Sequence, residues 1–353
     1  MRFAIYGGKE GFMKSAVFYG KHDLRVEDSP MPDLGPNDVL VCVKACGVCG
    51  TDVHIFEGDE GAADCTPPAI LGHEFSGVVE AAGSGVKNIS PGDRVCIDPN
   101  RYCGECYYCV NGLAHYCENM VGYGTTENGA FAQFCRVDAK QVYLLGENTS
   151  FEQGAMTEPV ACCLHGVDIC GIVPGSNVVV IGGGMIGLIV MQLARISGAV
   201  RLVMIEPVEE KRRMAKELGA DICIDPFNED AKAVLNEHGI HRVNTVIECV
   251  GLTSAIEQAV SLAGNKSVVM MYGLTKPDDE IRIKPFEFFR KEIELKASFI
   301  NPYTQKRALD LIDSGRLDVT SMLLPPCGLE ELGGILSSPE MRAKGKYIID
   351  PWK

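Results

Sequence analysis

The sequence predicts an α/β fold in two parts, a barrel-like β domain followed by a doubly wound parallel sheet. Three observations carry that expectation. The chain has 353 residues, too many for one ordinary domain and suited to two. Its first third holds short apolar or alternating runs separated by Pro and Gly. From about residue 170 strands and helices alternate, which implies a parallel sheet covered on both faces.

In the first part, residues 16–19, 24–27 and 39–45 are expected strands, punctuated by Pro30, Pro32, Gly35 and Pro36. Strands at 75–81 and 94–97 follow, with a turn at Ser90-Pro91-Gly92-Asp93 between them. In the second part, strands at 177–181, 201–205, 222–224, 245–249, 267–271 and 294–300 are expected, with helices at 185–197, 208–218, 230–237 and 254–263. Six such strands suit the two mononucleotide-binding halves of a Rossmann sheet. Residues 302–353 read as helix plus strand returning to the first domain. The expected division is therefore 1–168, 169–301 and the returning 302–353. Residues 1–12 read as a leader or an extension, because the first strand-like run begins at Met13 and Lys14.

Composition narrows the function classes. Hydrophobic content of 46% suffices for two cores, and 23% charged residues is near the globular average. A net charge of −14 repels nucleic acid and anionic lipid, so neither is an expected partner. No apolar run reaches the ~18 residues of a membrane span, and the first residues lack an apolar core of signal-peptide length. Sixteen cysteines spread over such a chain point to a reducing cytoplasm, where they serve as small buried hydrophobes or metal ligands.

After the strand-like Val178-Val179-Val180-Ile181 comes Gly182-Gly183-Gly184-Met185-Ile186-Gly187, a G-x-G-x-x-G turn opening a helix. Gly182 permits the tight turn, Gly184 lets backbone approach a pyrophosphate, and Gly187 allows close helix–strand packing. The next strand ends at Glu206, 24 positions after Gly182. An acid there accepts hydrogen bonds from ribose hydroxyls and repels a 2′-phosphate, so NAD is the expected coenzyme. Lys211, Arg212 and Arg213 lie close by. They either accommodate a phosphate, with Arg212 as a coenzyme contact, or form a solvated helix face.

Cys103, Cys106, Cys109 and Cys117 form C-x2-C-x2-C-x7-C. Four thiolates at this spacing can close around one tetrahedral zinc, leaving no place for substrate, so the expected role is structural. An iron–sulfur cluster is the competing occupant.

A second constellation is dispersed. Cys49-Gly50-Thr51-Asp52-Val53-His54 follows a strand; Gly72-His73-Glu74 and Thr157-Glu158-Pro159 come later. Cys49, His73 and an oxygen of Glu74 or Glu158 would make an open zinc site, the arrangement that lets the ion act on an alcohol oxygen. Thr51 and His54 could relay the alcohol proton to solvent. Taken singly, each has a plainer reading: Cys49 as a buried hydrophobe, His73 as a structural histidine, Glu74 as a surface acid, His54 as a helix cap. Spacing alone does not link ligands this far apart.

Gly72-His73-Glu74-x2-Gly77-x5-Gly83-x2-Val86 resembles the zinc signature of the medium-chain alcohol dehydrogenases. The Cys49 motif, the four-cysteine loop and the Gly182–Gly187 turn occur in that family's order, and the resemblance runs from about Met13 to Asp350. It implies a GroES-like catalytic domain interrupted by a Rossmann domain, two zinc ions per chain, NAD, and a homodimer or homotetramer. Glu158-Pro159, where simple alcohol dehydrogenases have a cysteine ligand, resembles the sorbitol-like polyol and threonine dehydrogenases. The resemblance implies a catalytic zinc on Cys49 and His73, with Glu74 and Glu158 as direct or water-bridged ligands. The expected substrate is a polyol or sugar alcohol; threonine and short diols are the alternatives. One departure stands out: sorbitol dehydrogenases follow the phenylalanine matching Phe299 with Arg-Tyr, whereas this chain has Ile300-Asn301. Asn301 either hydrogen-bonds a hydroxyl or caps the next helix. A non-catalytic zinc- and nucleotide-binding protein is disfavoured, because every ligand and relay residue is present.

Overall fold

A computed structural model describes residues 11–59 and 64–353. Residues 1–10, which hold most of the expected leader or extension, and residues 60–63 lie outside the described residues. The chain forms two units, one of residues up to Pro159 together with Gln305–Lys353, the other Val160–Thr304.

The first unit carries β1 (Phe12–Gly20), β2 (Asp23–Pro30), β3 (Asp38–Gly47), α1 (Gly50–Glu57), β4 (Ala69–Ile70), β5 (Glu74–Ala82), β6 (Arg94–Ile97) and β7 (Asn100–Arg101). These are followed by α2 (Tyr107–Val110), β8 (Val121–Gly122), β9 (Phe134–Asp138), β10 (Val142–Leu144) and α3 (Phe151–Ala155); α4 (Thr157–Cys170) runs on into the second unit. The boundary thus falls inside α4, earlier than the expected break at 168/169. The strands form a three-stranded sheet in the order β2-β1-β4 and a larger antiparallel sheet around β3, flanked by β5 and β9. Most of β3 is buried, which explains why Val39–Val43 reads as continuous apolar sequence rather than alternation. Phe75, Phe131 and Leu71 fill the core together with Leu40 of β3 itself.

The second unit continues with β11 (Ser176–Ile181), α5 (Met185–Ile196), β12 (Ala199–Ile205), α6 (Glu209–Glu217), β13 (Ile222–Ile224), α7 (Ala231–Glu237) and β14 (Thr245–Glu248). Then come α8 (Thr253–Leu262), β15 (Val268–Met271), α9 (Pro285–Lys291) and β16 (Glu294–Ala297). All six strands are parallel, in the order β13-β12-β11-β14-β15-β16. Strand order reverses between β11 and β14, and the crevice outside that point is where such sheets take a dinucleotide. Helix α9 has no counterpart in the sequence reading. It buries no residue, and Phe286 and Phe289 face solvent, so no periodic apolar stripe marks it. β16 ends at Ala297, short of the expected 300. Ile300 has φ 45°, a conformation a β-branched residue rarely adopts and one incompatible with a strand.

The C-terminal stretch adds α10 (Gln305–Asp313), α11 (Leu332–Ser337), α12 (Pro339–Arg342) and β17 (Ile348–Ile349) to the first unit. β17 pairs antiparallel with β3, Ile348 opposite Gly47. Gly47 on β3 also faces Glu74 on β5. No helix among the described residues is long and apolar enough to cross a membrane.

Candidate functional site

Cys49 sits where β3 has ended and α1 begins, as the N-cap of α1 in extended conformation. Asp52, three residues on, closes a capping box: its Oδ2 accepts the Cys49 backbone N–H at 2.8 Å. Its other oxygen accepts the Gly72 N–H at 3.3 Å and lies 3.5 Å from His73 Nδ1. One fully buried carboxylate therefore hydrogen-bonds the cysteine backbone and faces the histidine ring at ion-pair distance. With Nδ1 turned to Asp52, Nε2 is the nitrogen left for a metal, the arrangement in which an outer carboxylate orients a histidine ligand. Burial opposes the imidazolium, but Asp52 and Cys49 beside it hold His73 well above the usual histidine value.

Ligand atoms of Cys49, His73 and Glu74 all lie within 4.8 Å of one another. Glu74 Oε1 is buried with no hydrogen-bond partner, as suits an atom meant for a cation or its bound water. A thiolate, an imidazole and a carboxylate oxygen are a fitting donor set for catalytic zinc. Glu158 lies in the first turn of α4 and is nearly buried, but it is not one of those three. Thr51 and His54 stand three apart on α1 and so share a face. The His54 ring is partly exposed, 3.6 Å from Asp59.

Lys346, just before β17, reaches this cluster from the far end of the sequence. Its Nζ pairs with Glu74 Oε2 and donates to the Val48 carbonyl at 2.9 Å. Burial alone would push its ammonium down, yet Glu74, Cys49 and Asp52 hold it above the ordinary lysine value. The pair lies directly over Gly47. A Cβ there would come within 2.2 Å of Glu74 Oε2 and 2.9 Å of Lys346 Cε, so a larger residue would have to push this pair aside.

The four-cysteine loop is arranged differently. Its four sulfurs lie within 4.8 Å of one another, and Cys103 Sγ and Cys109 Sγ are 3.9 Å apart. Four sulfurs at about 2.3 Å from one zinc stand about 3.8 Å apart, so the loop fits that ion. Backbone N–H groups already point at sulfur, Cys106 N–H to Cys103 at 3.4 Å and Cys103 N–H to Cys117 at 3.3 Å. The Glu105 and Cys106 N–H groups bring the Cys103 thiol down to about 6.

In the second unit, Gly182 (φ 100°) turns the chain from β11 into α5, with Gly184 as N-cap. A Cβ on Gly187 would fall 1.8 Å from the Gly182 carbonyl oxygen, so this contact requires glycine. Met185 and Ile186 open the first turn of α5. Glu206 is nearly buried and receives the N–H of Gly183 at 2.7 Å and of Val208 at 2.9 Å. Arg212 departs from the solvated-face reading. Its guanidinium donates to the carbonyls of Glu206 and Pro207 and lies 3.3 Å from Asp225, so it braces the turn carrying Glu206. Asn301 is buried, and its carbonyl accepts from the Thr304 N–H at 3.3 Å.

Asp52 and Lys346 are the residues the sequence reading passed over. Asp52 stood inside a quoted motif, and its place three residues after an N-cap was the available signal. Lys346 has no local signal, since its partner is far away in sequence.

Residues 35–147 match the model of the alcohol dehydrogenase GroES-like domain and residues 185–314 that of the zinc-binding dehydrogenases. D-arabinitol dehydrogenase 1 of Uromyces fabae is 31% identical over 96% of this chain and 97% of its own. L-threonine 3-dehydrogenase of Pyrococcus furiosus is 36% identical over 74% and 75%. A solved zinc-binding dehydrogenase of Sinorhizobium meliloti, bound to NADP, superposes with a TM-score of 0.92 at 36% identity, covering 97% of this chain and 100% of that one. With a Cys–His–Glu cluster in one unit and a glycine-rich turn at the switch point of the other, the chain belongs to the zinc-binding alcohol dehydrogenase family, GroES-like in its first unit and Rossmann-like in its second.

Proposed function

We propose that the protein oxidises a secondary alcohol of the polyol or sugar-alcohol class, passing a hydride to NAD and releasing a ketone or ketose. The observation that carries this reading is the buried Cys49–His73–Glu74 cluster with Asp52 behind it. Zinc bound there supplies a Lewis acid for an alcohol oxygen. Asp52 orients His73, Lys346 neutralises Glu74, and Glu158 is the further oxygen ligand. Thr51 and His54 share a face of α1, and the partly exposed His54 hands the alcohol proton to solvent. The four cysteines hold the second zinc and brace their loop. The D-arabinitol relative supports a polyol substrate. The threonine dehydrogenase relative supports L-threonine as the second reading. Assaying NADH formation on polyols, sugar alcohol phosphates, threonine and short diols separates the two. Turnover of threonine alone overturns the polyol reading.

Glu206 favours NAD by accepting from the ribose hydroxyls, while Arg212 serves the turn rather than a phosphate. A relative bound to NADP makes this choice worth testing. Glu206→Ala should lower the NAD over NADP preference in kcat/KM by about tenfold, the worth of roughly one charged hydrogen bond. An unchanged ratio means another group reads the ribose.

The chain is proposed to work in the cytoplasm as a homodimer or homotetramer. None of the sixteen cysteines is in a disulfide, as a reducing compartment allows. β16 is an edge strand, and α9 beside it in sequence exposes Phe286 and Phe289, a suitable face for a second copy. Sedimentation as a monomer at micromolar concentration would remove the oligomer from the proposal.

A further inference from the structure

Glu248, the last residue of β14, is fully buried and has no part in the chemistry above. Its Oε1 accepts the N–H of Val250 at 2.6 Å and of Gly251 at 2.8 Å, while Oε2 is buried without a hydrogen-bond partner. Its backbone carbonyl accepts from Tyr272 and Gly273 at 2.9 and 3.0 Å. One residue therefore gathers the loop after β14 and the loop after β15.

That loop borders the switch point. The Cys249 N–H donates to the Ile181 carbonyl at 2.9 Å, and Val250 Cγ2 lies 2.7 Å from where a Gly182 Cβ would stand. The loops also press on each other through glycines: a Cβ on Gly273 would meet the Gly251 nitrogen at 2.1 Å. Residues 249–252 are thus a wall of the crevice between β11 and β14, where parallel sheets take a dinucleotide. Two adjacent N–H groups on one carboxyl oxygen fix the wall more stiffly than loop backbone alone.

We propose that Glu248 is a positioning residue for the coenzyme, holding residues 249–252 against the Gly182 turn so that the crevice is formed before the dinucleotide arrives. The inference rests on the reading of this unit as the coenzyme-binding one. Its carboxyl does not touch the coenzyme; it acts through Val250 and Gly251. Burial pushes that carboxyl up, against the pull of the loop N–H groups, and a glutamine there keeps an oxygen that can accept both of them.

The test is NADH titration by fluorescence on full-length, zinc-loaded protein, with Glu248→Leu, Glu248→Asp and Glu248→Gln compared with the parent. Leu removes the acceptor, and Asp draws it back by one methylene. Both should raise the NADH Kd by about tenfold, the worth of two lost hydrogen bonds. Gln, whose amide oxygen still accepts both N–H groups, should stay within about threefold. KM for the coenzyme should rise in the Leu and Asp variants while KM for the alcohol holds, a split that general loss of folding would not give. If Glu248→Leu does not fold, Glu248→Asp decides alone. An unchanged Kd in Glu248→Asp, or a loss in Glu248→Gln equal to that in Glu248→Asp, overturns the inference. Failure of the parent to bind NADH or NADPH would instead overturn the coenzyme reading itself.

Discussion

The four-cysteine loop and the Cys49–His73–Glu74 cluster both gather ligand atoms within 4.8 Å, yet they are built in opposite ways. The loop takes all its ligands from residues 103–117, and its own backbone N–H groups support the sulfurs. The cluster takes Cys49 from the head of α1, His73 from just before β5 and Glu74 from its first residue, with Lys346 completing it from beside β17. The loop is a closed set of four like donors. The cluster is a mixed set backed by a carboxylate on one side and an ammonium on the other. A site whose ligands are sequence neighbours can stand with little help from the fold. A site drawn from distant strands exists only when those strands are in register, so its metal chemistry and the stability of β3, β5 and β17 are coupled.

The sharpest way to break the comparison is to remove one cysteine from the cluster. Cys49→Ser should reduce alcohol oxidation to background and lower zinc from about two to about one per chain, leaving NADH binding intact. Metal analysis and coenzyme titration check it. Loss of both zincs would mean that the two sites are not independent.

Next in size is the ion pair. Lys346→Met leaves the Glu74 carboxylate buried without its counter-ion, which costs about 3–5 kcal/mol. Unfolding in denaturant should show that loss, and adding Glu74→Gln to the same protein should recover much of it. A single variant as stable as the parent would show that Glu74 needs no partner.

Cys109→Ser tests the other half. It should remove one zinc and lower the melting temperature by roughly 5–10 °C, a loss of about 2–3 kcal/mol in a domain of this size. Limited proteolysis should cut within residues 103–117, while the Cys49 cluster keeps its metal. Unchanged resistance to protease would mean that the loop's own packing, not the ion, holds it.

The same contrast explains what the sequence could reveal. Cys103 to Cys117 were legible because local spacing alone encodes them. Gly182 to Gly187 and Glu206 were legible because a strand, a turn and a helix follow one another without interruption. Cys49, His73 and Glu74 could be joined only through resemblance to a family, since their proximity depends on the pairing of β3 with β5. Lys346 was invisible for the same reason: its meeting with Glu74 requires β17 to pair with β3, 298 residues from the Val48 carbonyl it also binds. Helix α9 was missed because a helix that buries nothing leaves no periodic trace. Arg212 was read from its neighbours in sequence, whereas Asp225 and two carbonyls decide where it points.

Asp52 offers the finest test, because it supports the cluster without being a ligand. Asp52→Asn keeps the shape and an oxygen that can still accept the Cys49 N–H, so α1 should keep its start. It takes the charge from beside His73 Nδ1 and places an amide donor against what should be another donor. Outer carboxylates of this kind typically contribute 10–100-fold to metal affinity, so competition with a chromophoric chelator should show one zinc leaving about that much more readily. The four-cysteine zinc, which touches nothing near Asp52 in sequence, should leave at the parent's rate. Equal weakening of both zincs would mean that Asp52 acts on the unit as a whole, and the contrast between a self-sufficient site and a fold-dependent one would fail at that residue.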